Sequence, residues 1–488
     1  MSAIVVGALV VAACGGASDS TATRATEEAV AATTAAPATT ATTAPLTTTE
    51  APTTTNAPVT TTEATTTETA TTTTTAVPTT TTAAAPATTT TVAEPDPDLP
   101  VIEGLSPEIS ALVWDAVEVT EGIRGLDFEE LPVITVLSPE DFEARVRMEV
   151  DSDLEDIEVD EALFKLLGLL EPDDDLRALY GELYGESVAG FYSSEDKELV
   201  IPASGEEFTG MQTLTLVHEL IHALTDQHFD FGTRMEDLVD SQLYDPASGL
   251  VGVAEGDATL AEFVYVQNLD PSERNRLVRE FADFEPPDID IPLFMELALY
   301  FPYEAGFEYV VNRWREGGWP AVNRMYLDPP GSTEEIHVGA PSPATEVIEM
   351  GRPAGVLPVG YEEKYDYTWG FLDILVMFEQ VLGPDVALQA ATGWGGGRSL
   401  VGYSEEGEVV LVWEYTGDSQ DEADELVVLL GGYAKGAMHV GELQFREDLG
   451  FSASGEDYVF VAPIPSGMVM VACSDPEVCP SVTAPYLP

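Results

Sequence analysis

The sequence predicts an α+β protein, largely helical, with a small mixed sheet bordering one buried helix at 211–226. Three observations point there. Apolar residues recur at helical spacing over 106–124, 211–226 and much of 251–325. Short β-branched runs, LPVITVL at 131–137 and the pair flanking SSEDK within 187–202, stand immediately ahead of the central helix. Strand-like runs return only late, at Val409–Trp413 and Tyr458–Val461, which suggests a smaller, later unit.

In chain order, residues 2–13 (SAIVVGALVVAA) are apolar but too short to span a bilayer, and Cys14 follows with two glycines behind it. V-A-A-C reads as a lipoprotein signal, residues 1–13, cleaved before a Cys14 that carries the lipid, although no Lys or Arg precedes the apolar run. Residues 14–95 are mostly Thr, Ala and Pro with repeated TTT runs; they hold too few large apolar side chains to offset chain entropy and form a tether of roughly 50 Å.

From residue 96 the composition is globular, with a main domain over 96–345 and a C-terminal α/β portion over 346–488 packed on the same domain. The formal charge is 19 − 87 = −68; residues 1–95 hold seven acids and one Arg, so about −62 belongs to the folded part. Such an acidic surface suits a solvated, salt-adapted or extracellular protein, the rival reading being an anionic face that recruits basic substrates or cations. It argues against nucleic acid as a partner, and against any membrane contact except through a lipid at Cys14. The two other cysteines, Cys473 and Cys479, bracket CSDPEVC and fit a small disulfide loop in an oxidising compartment.

Among the elements, Ser106-Pro107 opens a helix to Arg124, Leu131–Leu137 is a strand, and Ser138-Pro139-Glu140-Asp141 caps a further helix. Acidic helices follow to about Tyr184. Ser187–Phe191 and Glu198–Pro202 then form a hairpin around SSEDK. The helix at 211–226 aligns Leu214, Val217, Ile221 and Leu224 on one arc, with His218, Glu219 and His222 beside it. This is H-E-x-x-H: two imidazoles one turn apart on one face, both able to reach one zinc ion.

The segment HELIHALTDQHFDF, preceded by GFYSSEDKELVIP and followed by VAEGDATLAEF, resembles a group of exported bacterial and archaeal zincin-like proteins, whose core reads HE-x-THALQDQHFDL and then EGDA. It is similar to the gluzincin class of zinc metallopeptidases. The likeness continues through PYEAGFEYVVNRWREGGW, PPGSTEEIHVG and GWGGGR, so it covers most of the chain from about residue 105. It implies a zincin-like catalytic domain over 96–345, in which the strand before the HELIH helix lies along the cleft and can pair with an extended substrate.

Two His leave a catalytic zinc one protein ligand short. His228 has the H-E-x-x-H-x-x-G-x-x-H spacing, but Thr225 stands where that pattern has Gly, and six residues of unbroken helix turn a side chain by about 240°. Glu255, in A-E-G-D-A-T, matches the gluzincin arrangement in which a second helix gives a carboxylate. Four residues beyond it, where thermolysin-like relatives carry an acid that orients a histidine, stands Thr259; Asp257 and Glu262 are the nearest acids, and Asp226 is another candidate to hold an imidazole N–H. His337, in STEEIHVG, matches the family's S-T-E-Q-x-x-H-P only in part and is a site-proximal candidate for the oxyanion. GWGGGR has neither the Lys nor the spacing of a phosphate loop and reads as a turn. The aromatics of 302–319 read as core.

With His218, His222 and Glu255 as ligands, zinc lowers the pKa of its water toward about 7, and Glu219 is placed to take that water's proton. The expectation is hydrolysis of a peptide or protein substrate outside the cytoplasm. A zincin-shaped surface protein that binds without turnover and a zinc hydrolase of a non-peptide amide are the alternatives. The acidic surface predicts that added salt raises unfolding stability by screening like charges; a stability independent of salt would remove that reading.

Overall fold

The computed structural model describes residues 10–11, 100–154, 156–203, 208–284, 290–338, 353–354, 356–465 and 467–487. The expected signal peptide apart from 10–11, Cys14, the expected tether to residue 95 and the expected boundary at 345/346 lie outside them. Among the described residues, no helix is long and apolar enough to cross a membrane.

The first half is helical around a small mixed sheet. A two-residue strand β1 (Val10–Val11) is followed by helix α1 (Pro107–Arg124), whose N-cap Ser106 accepts from Ile109 N–H. Next come β2 (Val133–Leu137) and α2 (Pro139–Asp153), the latter capped by Ser138 as its Ser-Pro start predicts. After α3 (Ile157–Leu167) and α4 (Leu176–Ser187), β3 (Phe191–Ser193) and β4 (Glu198–Pro202) form the hairpin. Its first strand lies later than the predicted Ser187–Phe191, because α4 continues through Ser187. The sheet order is β1-β3-β4-β2, with β2 parallel to β4 and the other pairs antiparallel.

The central helix α5 (Gly210–Phe229) begins in a capping box, Thr209 with Gln212, and ends at Asp230 in the left-handed region at φ 57°. Then follow α6 (Phe231–Asp240), α7 (Tyr244–Asn268), α8 (Pro271–Asp283), α9 (Leu293–Gly317), α10 (Trp319–Leu327) and α11 (Thr333–Val338). Helix α7 begins seven residues before the Val251 at which the apolar pattern starts. Its Gly249 and Gly252 dilute that pattern, and both pack close to the 330–336 segment.

The C-terminal portion corrects the expectation of a small later unit: it is a seven-stranded antiparallel sheet. It comprises β5 (Tyr361–Tyr367), β6 (Trp394–Ser404), β7 (Val409–Gly417), β8 (Gln444–Phe445), β9 (Phe451–Ser454), β10 (Tyr458–Ile464) and β11 (Gly467–Cys473), in the order β5-β6-β7-β11-β10-β9-β8. Helices α12 (Phe371–Leu382), α13 (Pro384–Ala391), α14 (Gln420–Ala437) and α15 (Cys479–Thr483) accompany it. Alternation along the central strands splits two cores. Leu411, Trp413, Met468 and Met470 join the cluster that also holds Leu250, Val253 and Phe294 of the helical half, whereas Val410, Val412, Val469 and Val471 form a second cluster with Cys473 and Cys479. The two halves thus share one core, and Cys473 and Cys479 are bridged.

GWGGGR is not the predicted turn but the start of β6. Glycine is depleted in strands, which hid it; here the absence of a side chain at Gly397 lets the Trp369 carbonyl approach, since a Cβ would lie 2.2 Å from that oxygen.

Helices α7 and α9 cross at glycine. A Cβ on Gly256 would sit 2.3 Å from the Gly306 carbonyl oxygen, and one on Gly306 would sit 2.3 Å from that of Gly252. Gly306→Ala is therefore expected to lower stability by about 2–3 kcal/mol in urea unfolding of the full chain; an unchanged midpoint would show that the crossing can relax.

Candidate metal centre

Helix α5 is buried on every side over its middle. Leu216, Val217, Leu220 and Ala223 pack toward the small sheet, Ile221 packs against Ala258 and Ala261 of α7, and His218, Glu219 and His222 are 2%, 0% and 1% exposed. Helix α7 runs across it, so that Glu255, 1% exposed, faces the two imidazoles. Glu255 Oε2 lies 3.1 Å from His218 Nε2 and 3.7 Å from His222 Nε2. A tetrahedral cation with legs of about 2.05 Å separates its ligand atoms by roughly 3.3 Å, which these two distances bracket. Among the described residues this is the one group of three His, Cys, Asp or Glu side chains gathered closely enough to hold a metal, its ligand atoms lying within 4.8 Å of one another.

The hydrogen-bond inventory also fits a bound cation. Both ring nitrogens of His222 and both carboxylate oxygens of Glu219 are buried without a hydrogen-bond partner. Polar atoms are seldom left so in a protein interior unless something else engages them. Burial lowers His222 below the ordinary imidazole range, so it is neutral and fit to ligate. His218 stays well above that range, because its two carboxylate partners, Glu255 and Glu262, outweigh burial. Burial also opposes ionisation of Glu255, yet the imidazoles of His222 and His218 hold it down at about 2. Glu219 is pushed up to about 8 by burial; His218 pulls it down, and Glu255 and Glu262 push it further up. A divalent cation on the neighbouring ligands would draw Glu219 back toward its basic form.

Around this group, Glu262 accepts the His218 Nδ1–H at 2.9 Å. It lies seven residues after Glu255, two turns along one face of α7, and fixes the far side of that imidazole. Asp257 is fully buried, and its Oδ2 takes the Arg124 guanidinium at 3.1 Å and the Tyr326 hydroxyl at 2.9 Å. Asp257 is also among the charges felt by His222. Arg124 further donates to Asn323 Oδ1 and lies over the Trp319 ring, which ties α1, α7 and α10 together behind the site.

Three sequence expectations are corrected. Asp226 does not hold an imidazole: Tyr192 and Lys197 donate to its Oδ2 and Gly232 N–H to its Oδ1, so it pins the β3–β4 hairpin to the end of α5. His337 is exposed on α11, where its ring packs 5.2 Å from that of Phe371, and is not brought to the metal group. Tyr303, read as core, instead lies with its ring 6.4 Å from that of His218 and lines a cavity together with Glu255. No local pattern announces Tyr303, because the α7–α9 packing brings it there. His228, the rival ligand, meets the Asp127 carbonyl at 2.8 Å, since α5 continues unbroken to Phe229.

Glu255→Ala is expected to abolish bound metal, Glu262→Gln to weaken metal affinity by about 10–100-fold, and His228→Ala to retain it, as read by metal analysis of dialysed protein. Loss in the His228 variant alone would reverse the ligand assignment. Comparison with protein-family models, curated proteins and solved structures finds no match.

Proposed function

We propose that the chain is a zinc-dependent, gluzincin-like peptidase with a zincin-like fold, exported and anchored by lipid at Cys14, in which His218, His222 and Glu255 hold the zinc. The observation that carries the reading is Glu219. Its carboxylate is fully buried beside the three ligands, with no side-chain hydrogen bond, on the helix that supplies two of them. A site that only bound metal would have no use for such a group. Zinc and not a harder cation suits two imidazoles and one carboxylate.

When bound, zinc supplies a Lewis acid for the scissile carbonyl and lowers the pKa of water at the site. Glu219 then accepts the proton of the attacking water at its carboxylate and returns it to the departing amine nitrogen. With the metal bound, Glu262 would accept the His218 Nδ1–H and so present Nε2, which here meets Glu255, as the ligand atom. Strand β3 offers its outer edge to an extended chain: Val10–Val11 pairs there, antiparallel to Tyr192 and Phe191. Gly190, just before β3, packs close to the Thr215 side chain and the stem of Glu219, so a chain added at that edge passes the base. The Cys473–Cys479 bridge is in keeping with an oxidising, extracytoplasmic setting.

The test pairs zinc stoichiometry of the full chain with cleavage of a mixed peptide library by wild type and Glu219→Gln. One zinc in both proteins, with cleavage reduced roughly 10²–10⁴-fold in the variant, is expected. Equal cleavage would remove Glu219 as the base. One zinc without cleavage in the wild type would turn the reading to a binding role or a non-peptide amide, and no zinc would end it.

A further inference from the structure

A cavity that reaches the metal group at Glu255 runs along α7. Asp245, Ser248, Val251 and Glu255 all line it, spaced three, three and four residues apart on one face of that helix. Ten residues of helix separate the two acids, so the cavity extends about 15 Å from the proposed reaction centre. Its walls are largely apolar, with Leu183 of α4, Phe294, Met295 and Leu299 of α9 and Val376 of α12, beside the rings of Tyr180 and Tyr184. Its far end is not. There Asp245 and Asp373, 2% and 6% exposed, both line the cavity.

Both far-end carboxylates are held in place. Asp245 accepts the Thr333 N–H at 3.1 Å and also its hydroxyl, and Asp373 accepts the Gly370 N–H at 2.9 Å at the start of α12. Burial, opposed by the Thr333 hydrogen bonds and reinforced by the Asp373 charge, pushes Asp245 up to about 7. Two buried carboxylates held at one end of the cavity favour a cation over a neutral group there.

We propose that this cavity receives a substrate side chain with an aliphatic stem and a cationic tip, arginine or lysine, whose charge meets Asp245 and Asp373. The dimensions agree. A scissile group at the metal leaves the adjoining Cα about 4 Å inside, an extended arginine carries its charge roughly 7 Å further, and a hydrogen bond covers most of what remains of the 15 Å. The stem meets the apolar wall, as long basic side chains do wherever they are buried. The proposal deepens the peptidase reading and rests on it for the position of the scissile bond.

The test uses the full chain loaded with zinc and two peptide hydroxamates that differ only in arginine or norleucine beside the chelating group, with binding measured by calorimetry. The arginine probe is expected to bind at least tenfold more tightly. Asp373→Asn, which keeps an oxygen for the Gly370 N–H, is expected to cut that preference about tenfold, with an unchanged urea midpoint showing that the variant is folded. Equal or tighter binding of norleucine by a protein that holds one zinc overturns the pocket and leaves the metal centre standing. If no zinc binds, the peptidase reading fails. The pocket is then judged by N-acetylarginine amide against N-acetylnorleucine amide, and the absence of a preference for arginine overturns it as well.

Discussion

Glu219, Glu255 and Asp257 are three carboxylates buried to 1% or less within a few turns of two packed helices, and only one guanidinium, that of Arg124, lies among them. Charge taken out of water costs several kcal/mol per ion unless a partner is fixed nearby, so this density of acid is the constraint the surrounding structure must satisfy. Arg124 pairs with Asp257 Oδ2 and both imidazoles face Glu255, which leaves both oxygens of Glu219, Asp257 Oδ1 and His222 Nδ1 buried without a hydrogen bond. One divalent cation at the meeting point of Glu255 and the two imidazoles would engage His222 and lie beside the Glu219 carboxylate. The helical half reads as a scaffold for that point.

The close approach of α7 and α9 serves the same end. With glycine at 252, 256 and 306 the backbones come together on one flank of α7, while Glu255 and Glu262 project from the flank that meets α5. Backbone contact leaves little room for the ligand helix to slide, and sub-ångström placement is what a metal with fixed legs requires. The packing also sets the cavity. Pro302 within α9 gives up one helical hydrogen bond, and it lines the cavity together with Ala298 and Tyr303. Ligand, wall and far-end acid are thus parts of one helix–helix arrangement.

What could be read from the sequence follows the range of the interactions. His218, Glu219 and His222 share one helical turn, so spacing alone placed them, and the caps at Ser106, Ser138 and Thr209 are equally local. The unbroken helix that turns His228 away was legible from Thr225. Glu255 needed the resemblance, and Glu262 was seen only as a nearby acid although its seven-residue spacing put it on the same face. Asp226 was misplaced because nothing local shows that Tyr192 and Lys197 come across from the hairpin to claim it. The seven-stranded sheet was underestimated since β6 opens on GWGGGR, whose glycines answer to the approach of the Trp369 backbone, a contact 28 residues distant between Trp369 and Gly397. Tyr303, Asp245 and Asp373 carry no pattern at all; they matter only because three helices converge.

The acid excess and the site belong to one electrostatic design. The protein carries 87 acids against 19 Lys and Arg, so a cation approaching from bulk solvent falls down a potential that an anion must climb. A field of that sign concentrates divalent metal and basic peptides alike near the surface, while screening at physiological salt confines it to about 8 Å. Selection among cations therefore has to come from the interior, where water no longer screens. On the proposed reading, the two imidazoles would favour a borderline metal over the hard ions that carboxylates alone would take, and a cavity largely apolar in its walls and acidic at its far end would favour a long basic side chain over a small hydrated ion. The surface attracts by sign; the buried groups discriminate by geometry.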